Sequence, residues 1–126
     1  MSQVWKVTVE DGVTVVRILS RPSYADLQAA LDEVVQNYNF EYRLWDFSGD
    51  QFNLSLDDIK AMAEYGKSMV DSESTRVAIV APHDVDFGSF RLFEVYRKKD
   101  NRTAVRVFRT KPEALEWLKN TASTST

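Results

Sequence analysis

Apolar side chains recur at two spacings in this 126-residue chain, and the changes from one spacing to the other mark its elements. Residues 3 to 9 and 13 to 19 are β-rich runs on either side of Asp11-Gly12. That dipeptide predicts a tight hairpin, because a type I′ turn needs positive φ at both central positions. After Pro22, the positions Tyr24, Leu27, Leu31, Val34, Val35 and Tyr38 fall at helical spacing. Ser23 stands where an N-cap belongs, with Asp26 in the first turn. Tyr42 to Phe47 reads as a strand. Leu56, Ile59, Met62, Ala63, Met69 and Val70 mark one face of a second helix.

Val77-Ala78-Ile79-Val80 is a short continuous apolar run closed by Pro82, as expected of a strand buried on both faces. A third helix is expected from about Val85 to Lys98. Ala104 to Arg109 alternates apolar and charged residues as a strand does. Thr110 and Glu113 then form a capping-box signature, with Pro112 in the first turn of a last helix. The order is β-β-α-β-α-β-α-β-α. After the hairpin, strands alternate with helices, which predicts an α/β fold: a mixed sheet of about five strands with a largely parallel core, and about four helices. Residues 1–119 read as one domain, and the small polar residues 120–126 as a tail.

Composition narrows the function classes. There is no cysteine, which excludes disulfides, thiolate catalysis and Cys-ligated zinc, and fits a reducing compartment. The net charge of −3 offers no basic stripe for nucleic acid. No apolar run suggests a membrane span, and no signal peptide opens the chain, so a cytoplasmic protein is expected.

The segments YRLWDFSG, LSLDDIKAMAEYG, RVAIVAPHDVDFGSFRLFEVY and VRVFRTKPEALEWL, spread over residues 42 to 118, carry a family resemblance. In this order they resemble the SpoIIAA-like superfamily, which contains STAS domains and lipid-binding CRAL-TRIO domains. More narrowly, they resemble small bacterial proteins of that superfamily. The resemblance implies a SpoIIAA-like α/β fold. It implies less about activity, because the fold serves both protein-binding regulators and carriers of apolar ligands.

In STAS-type anti-sigma-factor antagonists, an Asp-Leu-Ser-Gly strand end leads to an Asp-Ser-Ser-Gly motif, one of whose serines is phosphorylated. Asp46-Phe47-Ser48-Gly49 matches the first part, and Leu54-Ser55-Leu56-Asp57 stands at the second. Leu56 replaces the serine that is usually modified. Ser48 and Ser55 are therefore the candidate regulatory positions. The competing reading makes Ser55 an N-cap that accepts the amide of Asp57 or Asp58. Those two carboxylates would also repel a phosphate there. The cap is the favoured reading.

Catalytic signals are thin. His83, the only histidine, follows the apolar strand and precedes Asp84, a position where an α/β sheet can bind ligands. No nucleophile accompanies it, and a lone histidine with scattered carboxylates is a poor metal set. Asp84 or Asp86 is expected to cap the next helix. Gly12, Gly49, Gly66 and Gly88 are too scattered for a phosphate-binding loop. No enzyme activity, cofactor, metal or catalytic residue is expected.

The third helix is unusual. Steps of 100° place Val85, Gly88, Ser89, Leu92 and Tyr96 on one face, flanked by Phe93 and Val95, and turn Phe87 and Phe90 outward. With Met62, Tyr65 and Met69 of the second helix, Phe87, Phe90 and Phe93 would flank a nonpolar pocket or an interface. The alternative is that Phe87 belongs to the core and the phase is shifted by one position. Arg97, Lys98, Lys99 and Arg102 fit complementing of the helix C-terminal dipole. The expected role is non-catalytic binding of a nonpolar small molecule or lipid between these helices. The alternative is a STAS-type interaction with a protein partner, or a homodimer. Peripheral membrane contact is not favoured.

Overall fold

The computed structural model describes residues 4–38, 41–49, 55–68, 75–98 and 104–123. Its elements are β1 (Trp5–Glu10), β2 (Val13–Ile18), α1 (Tyr24–Asn37), β3 (Tyr42–Asp46), α2 (Leu56–Ser68), β4 (Arg76–Val80), α3 (Asp84–Lys98), β5 (Ala104–Phe108) and α4 (Lys111–Ser123). The β-β-α-β-α-β-α-β-α order is the one the apolar spacing predicts. The Asp11-Gly12 turn has φ of 51° and 80° at its two central residues, as a type I′ hairpin demands.

The five strands lie in sequence order, β1-β2-β3-β4-β5. The hairpin pair is antiparallel, and each later strand pairs parallel with the one before it. Each crossover therefore steps one strand in the same direction, and right-handed connections put their helices on one face. The packing follows this rule. Val16, Trp45, Val77, Ile79 and Val107 form one core with Leu27 and Leu31 of α1, Ile59 of α2 and Phe90 of α3. Val15, Leu44, Ala78 and Val80 face the other way, onto Ala114 and Leu118 of α4. The result is three layers, with three helices on one side of the sheet and one on the other.

Local chemistry fixes the helix starts. Ser23 and Asp26 form a complete capping box on α1. At α4, the Glu113 amide donates to Thr110 Oγ1 at 3.3 Å. At α3 the cap position belongs to His83, whose carbonyl accepts the Phe87 amide, rather than to Asp84 or Asp86. Those two aspartates lie in the first turn instead. α4 runs on to Ser123, into the segment expected to be a tail, because Thr121 and Ala122 continue the helix. Among the described residues, no helix is long and apolar enough to cross a membrane.

The phase of α3 corrects the expectation from sequence. Phe90 is only 5% exposed, whereas Val85, Leu92 and Val95 are 52%, 42% and 55% exposed. The inward row is Asp86, Phe90, Phe93 and Arg97, at the i, i+4, i+7, i+11 spacing of one helix face. Asp86 and Arg97 are both buried. Phe87 is half-buried and packs at the margin of the core. α2 departs in the same way, since Leu56 faces solvent while Ile59, Met62 and Ala63 are buried.

Candidate functional site

A cavity of about 70 Å³ lies between the sheet and the helices of its three-helix side. Its floor follows the two-residue alternation of neighbouring strands. Arg43, Trp45 and Phe47 come from β3 and its end, Val77 and Ile79 from β4, and Val105 from β5. Its roof comes from one face of each helix: Leu27 and Leu31 of α1, Ile59 and Met62 of α2, and Phe90, Phe93 and Arg97 of α3.

Aromatic contacts build one end. The Phe47 and Phe90 rings are 4.5 Å apart between centroids, and Phe93 meets Phe90 edge-on at 6.4 Å. Arginine marks the other end. Apart from Arg43 and Arg97, the described lining is apolar except for the indole N–H of Trp45, and it includes no carboxylate. Arg97 is 5% exposed, so it lies in the core and not on the helix-end surface where its neighbours Lys98, Lys99 and Arg102 suggested it.

Of the residues singled out in the sequence, Met62, Phe90 and Phe93 meet at this cavity. Tyr65 packs beside the same core but reaches away from the cavity, its hydroxyl donating to Asp32 Oδ1 at 2.5 Å. Phe87 lies under the Arg109 guanidinium, 4.2 Å from its ring centroid. Met69 lies outside the described residues. The site is therefore roofed by three helices, not by the second and third alone. Arg43, Trp45, Phe47 and Arg97 were missed, although the two-residue spacing of Arg43, Trp45 and Phe47 already places them on one face.

The candidate regulatory serines are both exposed. Ser55 Oγ accepts the Asp58 amide at 3.1 Å, so it caps α2. The Ser48 amide donates to Asp46 Oδ1 at 2.9 Å in a local turn. Near His83, the Asp84 carboxylate is engaged by Arg109. His83 Nε2 is buried and has no hydrogen-bond partner among the described residues. Among the described residues the strand order never reverses, so their sheet has no topological switch point beside His83.

Comparison of the chain with family models, curated proteins and solved structures finds no match.

Proposed function

We propose that this chain is a cytoplasmic, non-catalytic binding module that takes a small nonpolar molecule into the cavity beneath α1, α2 and α3. The observation that carries the reading is the cavity itself: an apolar space inside the core, walled by three helices and three strands. Binding sites in general are concave and mostly apolar, with a few placed polar groups. The resemblance to SpoIIAA-like proteins, which include carriers of apolar ligands, agrees with it. At about 70 Å³ the space is well under the ~150 Å³ that admits benzene. A ligand of more than a few heavy atoms must therefore displace a wall residue, and Met62 is the adaptable one.

The test is a titration of protein carrying ¹³C-methyl methionine with short-chain neutral and charged amphiphiles. A saturable shift of the Met62 methyl is expected, and Val105→Phe, which fills the space, should abolish it. Native mass spectrometry of protein from its own host would add the mass of a retained ligand. A Met62 methyl unmoved by every probe, together with a bare chain mass, overturns the reading.

A second reading, a STAS-type protein-protein module, has its own observation in the solvent-facing Val85, Leu92 and Val95 of α3. For a homodimer the test is sedimentation of wild type against Leu92→Lys. A wild type that stays monomeric at all concentrations removes that form of the reading.

A further inference from the structure

We infer that the outer edge of β1 is a self-association surface, at which two copies of the chain pair their β1 strands antiparallel about a twofold axis at Thr8. The surface is independent of the cavity and distinct from the exposed face of α3.

The two edges of the sheet differ. Among the described residues, β1 and β5 are its outer strands. On β5 the Val107 amide donates to Glu94 Oε2 of α3, so a side chain occupies that edge. On β1 the backbone is open. The Leu19 amide donates to the Val4 carbonyl at 2.7 Å, which sets the phase of the hairpin ladder. Alternation along the strand then turns the backbone groups of Lys6, Thr8 and Glu10 toward β2, and those of Trp5, Val7 and Val9 outward. Among the described residues nothing accepts the Val7 and Val9 amides. The Val9 side chain is 45% exposed beside them. An edge of this kind is a template for another strand.

Charge selects the partner and the register. Lys6 lies opposite Arg17 of β2, and both are exposed. Neither has a carboxylate partner among the described residues. Like charges that face each other across a ladder destabilise it, so this pair gains from an anion. A lysine on an edge strand ordinarily discourages pairing. In a second copy turned about Thr8, however, the residue opposite Lys6 is Glu10. Thr8 then meets its own counterpart, and Val7 meets Val9.

The backbone phase agrees with this register. Val7 and Val9, whose backbone groups point outward, become the hydrogen-bonded pairs. Lys6 with Glu10, and Thr8 with Thr8, become the pairs without backbone bonds, whose Cα atoms lie about 4.5 Å apart and whose side chains are closer. Opposite charges and paired threonines are both favourable there. Glu10 also accepts Lys111 Nζ at 3.1 Å, and a carboxylate has acceptor sites for both lysines. The other register in phase, centred on Val7, sets Lys6 opposite Thr8 and Glu10 opposite Val4, so neither charge meets its complement.

The experiment follows the full chain by sedimentation and by hydrogen exchange, dilute and concentrated. Wild type should dimerise as concentration rises, with protection growing at the Val7 and Val9 amides and not at Val107. Lys6→Glu and Glu10→Lys should each associate roughly tenfold or more weakly, because like charges then face each other at both ends of the pair. An equimolar mixture of the two variants should dimerise again, since each carries the charge that the other lacks. A wild type that stays monomeric at every concentration overturns the inference. So does a dimer that Leu92→Lys dissociates and in which Val7 and Val9 exchange as in the monomer. A mixture that associates no better than the separate variants overturns the register centred on Thr8. Both substituted side chains are exposed, and exchange in the wild type decides even where a variant does not fold.

Discussion

The Phe47 and Phe90 rings lie 4.5 Å apart, tilted by 41°, and so join the end of β3 to the inward face of α3. Aromatic pairs at this separation add to simple burial. Phe90→Ala should therefore cost about 3–5 kcal/mol of stability. Leu92→Ala, on the opposite face, should stay within about 0.5 kcal/mol. Urea unfolding of both variants checks the phase of the helix directly. A larger loss at Leu92 than at Phe90 would contradict it.

The same helix shows where sequence reasoning succeeds and where it stops. The hairpin was legible because Asp11-Gly12 suits positive φ, and the structure has it at both residues. The first helix was legible because Ser23 and Asp26 cap each other. The third helix was found, but its phase was not, because its inward row carries a charge near each end. Counting apolar residues assumes that charge faces water. In α3, Asp86 and Arg97 are buried, so the count selected Val85 and Leu92. Arg43 hid the cavity floor in the same way, making the face of Trp45 and Phe47 look half polar. Burial of a charge depends on partners distant in sequence, and local spacing carries no record of them.

Ser55 accepts the Asp58 amide, and its carbonyl accepts the Ile59 amide at 3.0 Å, the geometry of an N-cap. Ser55→Ala should then lose about 1 kcal/mol, whereas Ser55→Asp should hold stability, since aspartate caps as well as serine. Chemical denaturation of the two variants separates the outcomes. If Ser55→Asp proves the less stable of the two, repulsion from Asp57 and Asp58 outweighs the cap.

Tyr65 bridges α2 to Asp32 of α1. The hydrogen bond to Asp32, with burial and the aspartate's charge behind it, raises the phenol above its ordinary value. The folded state thus holds this proton more tightly than the unfolded chain does. The bond's contribution is complete below about pH 10 and is lost as pH rises through the raised value. The stability difference between wild type and Tyr65→Phe should be constant at neutral pH and shrink above about pH 10. Urea midpoints across that range test it. A difference unchanged by alkali would mean the phenol titrates normally.

Among the described residues β5 is the last strand of the sheet, and no further strand of them meets the outer side of its backbone. An open strand edge invites pairing with another chain, and proteins cover or charge such edges. Here the Val107 amide donates to Glu94 Oε2 of α3 at 3.1 Å, so a side chain takes the place of a neighbouring strand. Glu94 also lies 3.8 Å from Arg91, one turn back, which orients it along the helix. Removing the acceptor leaves a half-buried amide without its partner, a loss of about 1–3 kcal/mol. Glu94→Ala should show that loss, and Glu94→Gln, which keeps a carbonyl oxygen, a smaller one. Hydrogen exchange gives the local reading: the Val107 amide should exchange much faster in Glu94→Ala, with little change at the amides of β2. Protection at Val107 equal to wild type would mean that the edge is held by something other than Glu94.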